Sequence, residues 1–281
     1  EQTDHGTFIS HYGPFGAREF DMVGNVIGHW QPAFVGGNGT VDPGSLPDGN
    51  EGDAPPVSVD PDWVELRSFH HEMRTMPNGN LIGLSTALHE LTPEQREQIC
   101  PDDPVAFKAV SDVIVEFTRE GEAIRTWDLF DVIDIVEIPG TEMCATDGGL
   151  FSSLENRDWT HANAVVYDPD RDAILVSSRH TDHVLAIDHL DDEGPQSQLR
   201  WIIGVGATIP LDGDPPFHQH AVELLDDGAI IIYDNGNARP GTAVDDPVNP
   251  TYSRAVIYEV DDASDDPSTW TLATGEAASP E

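Results

Sequence analysis

Four side chains in this sequence have the types and spacing to share one site: His71, His161, His220 and Arg179. Each histidine opens a similar stretch. His71 is followed five residues later by Met76, then by Pro77-Asn78-Gly79 and the apolar run Leu81-Ile82-Gly83-Leu84. His220 is followed five residues later by Leu225, then by Asp226-Asp227-Gly228 and Ala229-Ile230-Ile231-Ile232, so these two stretches match without a gap. His161 begins a further copy: Ala164-Val165-Val166-Tyr167, a slightly longer turn from Asp168 to Asp172, and Ala173-Ile174-Leu175-Val176. A histidine cluster can bind a metal, move protons or act as a nucleophile. One histidine is usually structural; three in register are harder to explain that way. Arg179 ends the second strand of the His161 stretch, and a hairpin returns that strand to where the first began, so Arg179 is expected beside His161. Its guanidinium suits a tetrahedral oxyanion, although in so acidic a chain an arginine can also be an ordinary ion pair. A fixed cation among neutral imidazoles disfavours a divalent ion, so metal catalysis ranks lower; no metal ligand and no cofactor are assigned.

Three more residues are candidates for binding substrate. Asn235 and Arg239, in Tyr233-Asp234-Asn235-Gly236-Asn237-Ala238-Arg239, fall roughly where Arg179 falls in its own repeat, although Asn-Gly with a following Arg is also a common turn. His218 flanks His220, and strand alternation places it on the same side but further out. By the same alternation His70 faces away from His71. The cluster Asp168-Pro169-Asp170-Arg171-Asp172 lacks the glycine and terminal glutamate of a calcium loop and reads as a solvated hairpin tip.

The elements that would carry these residues are short strands. Each histidine stretch is a β-hairpin with turn formers at its tip. A second kind of hairpin alternates with the first and ends near a tryptophan: residues 19–26 with Trp30, 115–122 with Trp127, 184–188 with Trp201, and 256–260 with Trp270. Two alternating hairpins make a four-stranded sheet, the blade of a β-propeller, and about four blades' worth are visible, the first lacking most of its inner hairpin. The fold expected is therefore all-β, a single propeller domain or part of one over residues 1–281. The innermost strands of such blades line one channel, so His71, His161 and His220 would meet at its mouth. Helical patterning is scarce; one short helix is expected from Thr92 to Cys100, with Pro93 in its first turn. Loop insertions are expected near 36–61, 140–158 and 240–250, where they could wall a substrate pocket.

Composition narrows the partners. Asp and Glu number 52 against 13 Lys and Arg, a formal net charge of −39, spread along a chain with regular apolar content. Such a surface repels nucleic acid and suits a salty environment, where ions screen the self-repulsion. No apolar run approaches the length of a membrane span. The sequence starts at Glu1 without a signal-like segment, which reads as a processed chain. The two cysteines, Cys100 and Cys144, form no Cys-x-x-Cys pair, so thiolate metal sites are not expected; a single disulfide and two free thiols are both open.

At this point the chain resembles the arylsulfate sulfotransferase family. The resemblance is carried by Phe69-His70-His71-Glu72-Met73 with Pro77-Asn78-Gly79-Asn80, by Asp158-Trp159-Thr160-His161-Ala162-Asn163 through Ser177-Ser178-Arg179, and by Gln219-His220-Ala221 through Asp234-Asn235-Gly236-Asn237. It runs from about residue 60 to 260, and the middle segment is the most specific. It implies a six-bladed propeller that moves a sulfuryl group from an aryl sulfate ester to a phenolic acceptor without a nucleotide donor, outside the cell or in the periplasm. It implies that His220 is the nucleophile that becomes sulfated, and that Arg179, His161 and His71 bind the sulfuryl oxygens or protonate the leaving phenolate. Two features depart from the family: the count of about four blades, and Glu72 where the family has Asp after the first histidine. A non-catalytic propeller that binds a ligand or partner, and a metal-dependent hydrolase or lactonase, remain as alternatives. The oligomeric state is not readable.

Overall fold

Strands dominate the computed structural model of the chain, which describes residues 3, 6–11, 16–33, 59–103, 107–141, 143–144, 156–190, 198–211, 213–264 and 267–276. They form four sheets among the described residues. The first contains β1 (Phe8–His11), β2 (Ala17–Phe20), β3 (Val26–Pro32) and β4 (Asp62–Val64), with β4 parallel to β3. The second contains β5 (His70–Thr75), β6 (Leu81–Glu90), β7 (Lys108–Phe117) and β8 (Ala123–Asp128), and β9 (Asn156–Asp158) runs parallel to the start of β7. The third is an antiparallel meander of β10 (Ala162–Asp168), β11 (Ala173–Ser178), β12 (His183–Asp188) and β13 (Leu199–Gly204). The fourth repeats that meander with β14 (His220–Leu224), β15 (Ile230–Asp234), β16 (Arg254–Asp261) and β17 (Thr271–Glu276). The last three sheets each open with a histidine hairpin and continue into a tryptophan hairpin, as the repeats imply. In the first sheet β1 is the one strand among the described residues before the Trp30 hairpin, where the sequence lacks most of an inner hairpin. The insertion expected at 36–61 lies almost wholly outside the described residues, as does most of 140–158.

The chain divides into two compact units, residues 1–87 with 112–129 and residues 88–111 with 130–281. In the first, Ile9, Trp30, Phe69, Met73, Leu81, Val115 and Phe117 form one apolar cluster. The Trp30 ring meets Phe117 edge-on at 6.5 Å, and its Nε1–H donates to the Arg119 carbonyl at 2.8 Å. The indole therefore fills the core without leaving its one polar atom unpaired.

In the second unit the third and fourth sheets pack face to face. Alternate residues of β14 to β17 (Val222, Ile230, Ile232, Val256, Tyr258, Leu272) meet Ala164, Val166, Leu175, Val184, Ala186 and Trp201 of β10 to β13. Strand β11 is buried at every position, which is why its sequence reads as a continuous apolar run and not as an alternation. Past the end of β16, Asp262 accepts from Arg171 Nε at 3.0 Å, Arg200 Nε at 2.9 Å and Trp201 Nε1 at 3.0 Å. Burial would raise this carboxyl, but the Trp201 and Arg171 bonds outweigh burial and hold it below its ordinary value.

Helix α1 (Pro93–Ile99) starts at a capping box. Thr92 Oγ1 accepts from the Gln95 N–H at 3.2 Å, and Gln95 Oε1 accepts from the Thr92 N–H at 2.9 Å. Its C-cap, Cys100, is joined to Cys144 by a disulfide, which resolves the alternative the sequence left open. Among the described residues no helix is long and apolar enough to cross a membrane.

Candidate active site

Strand β9 ends at Asp158, and a tight connection leads into β10. The Trp159 N–H donates to the Val110 carbonyl at 2.9 Å, and its indole N–H donates to Ile138 at 2.8 Å. Both Trp159 and Thr160 are fully buried. This anchoring lets His161 hold a backbone φ of +46°, a conformation that costs a non-glycine residue roughly 1 kcal/mol or more. Across the hairpin the Arg179 N–H donates to the His161 carbonyl at 3.2 Å and the His180 N–H to the Thr160 carbonyl at 3.0 Å, so Arg179 does stand beside His161. Asp182, His218 and Ala221 also have positive φ. Of the seven non-glycine residues in that region among the described residues, four therefore belong to this neighbourhood, and His71 is another of the seven.

The histidines are not strict equivalents, although their sequence spacing suggests it. Thr160 and Phe217 each accept a backbone N–H from the residue two past the end of the returning strand, His180 after Ser178 and Gly236 after Asp234. The next residue is His161 in one case and His218 in the other, with φ +46° and +50°. The backbone counterpart of His161 is thus His218, and counting on two residues puts His220 at the place of Asn163. In the first unit, His70 pairs with Leu84 as His220 pairs with Tyr233, each partner lying five residues past its turn glycine. His70, not His71, holds the ladder position of His220. The cause is a β-bulge of different size in each hairpin. Between His70 and Met73, β5 advances three residues while β6 advances one; between His220 and Glu223, β14 advances three against two; between Ala162 and Ala164, β10 advances two against one. The bulge also overturns the expectation that His70 faces away from His71: the two rings meet at 5.2 Å, with Nδ1 atoms 3.0 Å apart.

Each candidate histidine is held by Nδ1. His161 Nδ1–H donates to Asp158 Oδ2 at 2.6 Å, from a carboxylate that is only 2% exposed. His220 Nδ1–H donates to Asn235 Oδ1 at 2.9 Å. In the first unit, His70 Nε2–H points at the Ser85 carbonyl (3.0 Å) and Asp112 Oδ1 (3.1 Å), which makes its Nδ1 the acceptor for His71 Nδ1–H. A neutral ring that carries its proton on Nδ1 has its lone pair on Nε2. Burial pushes the His220 ring below its ordinary value; the Asn235 bond opposes this, and the charge of Arg179 adds to it, as does that of His161. His161, Arg179 and His220 are therefore within electrostatic reach of one another. His71 lies in the first unit and is half-buried there.

Two residues near His161 escaped the sequence reading. His180 stacks on His161 with ring centroids 4.5 Å apart and 27° between planes, and its Nδ1–H donates to the Asp158 carbonyl at 2.8 Å. Burial drives its pKa down to about 3, against the pull of that carbonyl and helped by the charges of His161, Arg179 and His218. Asp158 was visible only as an acid three residues before His161. Together Asp158, His161 and His180 offer one ligand atom each within 4.8 Å of one another, a group that could hold a metal ion. Both Nδ1 atoms, however, are engaged within the group.

The binding candidates fare differently. Asn235 is the partner of His220. Its position depends on Gly236, at φ +70°, where a Cβ would come within 2.0 Å of the Tyr252 carbonyl. His218 is not further out but 3% exposed; its N–H donates to Asp182 Oδ1 at 2.6 Å, and its Nδ1 lies 3.1 Å from the same oxygen. Arg239 is 5% exposed, pairs with Asp234, and lies between the Phe217 and Tyr252 rings at 5.1 and 4.7 Å. Its charge is committed to holding the loop after β15, which includes the described 240–250 segment.

The model of the family described as Arylsulfotransferase (ASST) matches residues 1–268. The chain belongs to the arylsulfotransferase family. An arylsulfate sulfotransferase AssT of Escherichia coli O6:H1 is 25% identical over 214 residues, covering 57% of this chain and 34% of that protein. The AssT of Lelliottia amnigena is 24% identical over the same shares. The chain thus spans about a third of the length of these curated arylsulfotransferase relatives. A solved structure of a protein of unknown function from Bacteroides caccae is 13% identical with a TM-score of 0.39, over 98% of this chain and 76% of that one.

Proposed function

We propose that this chain carries a sulfuryl-transfer site that takes the group from an aryl sulfate ester and passes it to a phenol through a sulfated His220. The observation that supports this most is the state of His220: burial keeps the ring neutral, Asn235 holds the proton on Nδ1, and Arg179 is close enough to act on it electrostatically. A neutral imidazole attacking through Nε2 breaks the sulfur–oxygen bond to the aryl group. A fixed guanidinium and imidazole donors offset the charge spread over the sulfuryl oxygens. The phenol leaves, an acceptor phenol attacks the sulfated ring, and His220 is regenerated. His71 enters as a sulfuryl ligand on the family resemblance alone. The same proposal includes a location outside the cytoplasm, from the resemblance, a single propeller spanning the chain, from the repeated hairpins, and a saline habitat, from the acidic excess.

The test is release of 4-nitrophenol from 4-nitrophenyl sulfate with and without an acceptor phenol. Sustained release is expected only with the acceptor, and His220→Ala should abolish it; release unaffected by that substitution overturns the proposal. A non-catalytic binding propeller gives no turnover with any aryl sulfate. The group formed by Asp158, His161 and His180 supports a second reading, a metal-dependent hydrolase. That reading requires activity to disappear on chelation and return with added metal.

A further inference from the structure

Asp158 and His180 have no part in the proposal so far, yet both are buried and both bear on His161. The Asp158 carboxylate takes the Nδ1–H of His161, while the Asp158 carbonyl takes the Nδ1–H of His180. One residue thus orients two stacked rings, one through its side chain and one through its backbone. We propose that Asp158 and His180 are positioning residues that make His161 the proton donor to the departing phenolate. This rests on the sulfuryl-transfer reading above.

The charges favour this assignment. A donor histidine must carry a second proton next to Arg179, which repels it. Asp158, 2.6 Å from Nδ1 and shielded from water, supplies the compensating negative charge. His180 is the stacking partner, which holds the plane of the His161 ring from one side. With an aryl sulfate bound, Arg179 and a protonated His161 balance Asp158 and the sulfate monoanion. His71 differs, since its Nδ1 meets the imidazole of His70 and not a carboxylate.

The step conserves atoms and charge. His220 Nε2 forms a bond to sulfur as the bond from sulfur to the aryl oxygen breaks. The electron pair goes to that oxygen, and His161 Nε2 gives it a proton. The products are a neutral phenol, a neutral His161 and a His220 ring whose positive charge offsets its sulfonate. In the second half, His161 takes the proton of the acceptor phenol and is ready again.

A proton donor matters most when the leaving phenol is a poor one, and this separates the role from mere structural support. The first half-reaction is followed as the phenol burst from phenyl sulfate and from 4-nitrophenyl sulfate, using the full chain. Asp158→Asn keeps an oxygen for the Nδ1–H but removes the charge. It is expected to slow phenyl sulfate about 100-fold or more while slowing 4-nitrophenyl sulfate about 3-fold at most, within the range general acids contribute. In a His161→Gln background the same substitution should add nothing. Equal losses with both donors overturn the inference while leaving the role of His220 intact. If His220→Ala stays active, the transfer reading itself fails. Should Asp158→Asn lose its circular dichroism, the nitrogen-15 shifts of His161 in the unmodified chain decide: the inference requires the proton on Nδ1, and a neutral ring protonated on Nε2 overturns it.

Discussion

Replacing Asn235 with alanine should lower the rate of His220 sulfation and, at the same time, move its acid limb to lower pH. The two effects come from one bond. Asn235 Oδ1 accepts the His220 Nδ1–H at 2.9 Å, and that bond favours a ring carrying a proton there. Without it the tautomer with Nε2 available for attack loses its support. A neutral hydrogen bond contributes about 0.5–1.5 kcal/mol, so the plateau rate should fall about 2- to 13-fold. The bond is also the main influence holding the ring's pKa up against burial. Removing it therefore lowers the pKa further, and the neutral, attacking form persists to lower pH. Burial has already placed the native acid limb below the ordinary 6.5. Arg179→Gln removes a charge that disfavours the imidazolium, so its limb should move the opposite way, toward higher pH. The assay is the quenched burst of 4-nitrophenol against pH for the three proteins. A native limb above 6.5, or both substitutions moving it in one direction, refutes the assignment of His220 as the neutral nucleophile. The sign also holds for stability. A ring buried neutral takes up protons on unfolding, so its contribution is present above the ordinary pKa and is lost as pH falls.

Reduction of the Cys100–Cys144 bridge, which spans 44 residues, should cost up to about 4 kcal/mol by the loop-entropy relation. Thermal melts with and without dithiothreitol check this, and coincident melts would show that the bridge constrains nothing. With 52 acidic against 13 basic side chains, the melting temperature should climb between low salt and 1 M NaCl as the screening length shrinks to roughly 3 Å. A flat salt response would mean that the charges are already compensated in the fold.

The order of hairpins was legible because repetition survives in residue type. Turn glycines at Gly79 and Gly228, apolar runs such as Ala173-Ile174-Leu175-Val176, and a tryptophan after every second hairpin each report one local requirement of a four-stranded sheet. The bulges were not legible. An extra residue in β5 or β14 has no residue-type signature when the bulged positions are His71 and Ala221 instead of glycine. Sequence spacing therefore aligned His161 with His220, whereas the backbone aligns it with His218. The same limit hid His180. A histidine next to Arg179 reads as polar end-of-strand sequence, and only the packed hairpin shows it stacked on His161. Arg239 errs the other way. Its position in the repeat suggests a site cation, but Asp234, Phe217 and Tyr252 surround it.

Holding His161 and His220 by Nδ1 fixes the same tautomer in both, and the nature of each partner then separates them. Asn235 is a neutral acceptor whose upward pull on the His220 pKa is outweighed by burial, so the ring is oriented while staying neutral, which is what a nucleophile needs. Asp158 is a buried carboxylate, so His161 is oriented and also compensated when it does take one, which is what an acid needs. Two rings of one residue type can therefore take different parts in one transfer through the atoms behind them. On this logic, exchanging the partners should exchange the roles. Asn235→Asp would steady a charged His220 and slow its attack, the more so toward acid pH, whereas Asp158→Asn would leave the attack intact and expose the leaving group.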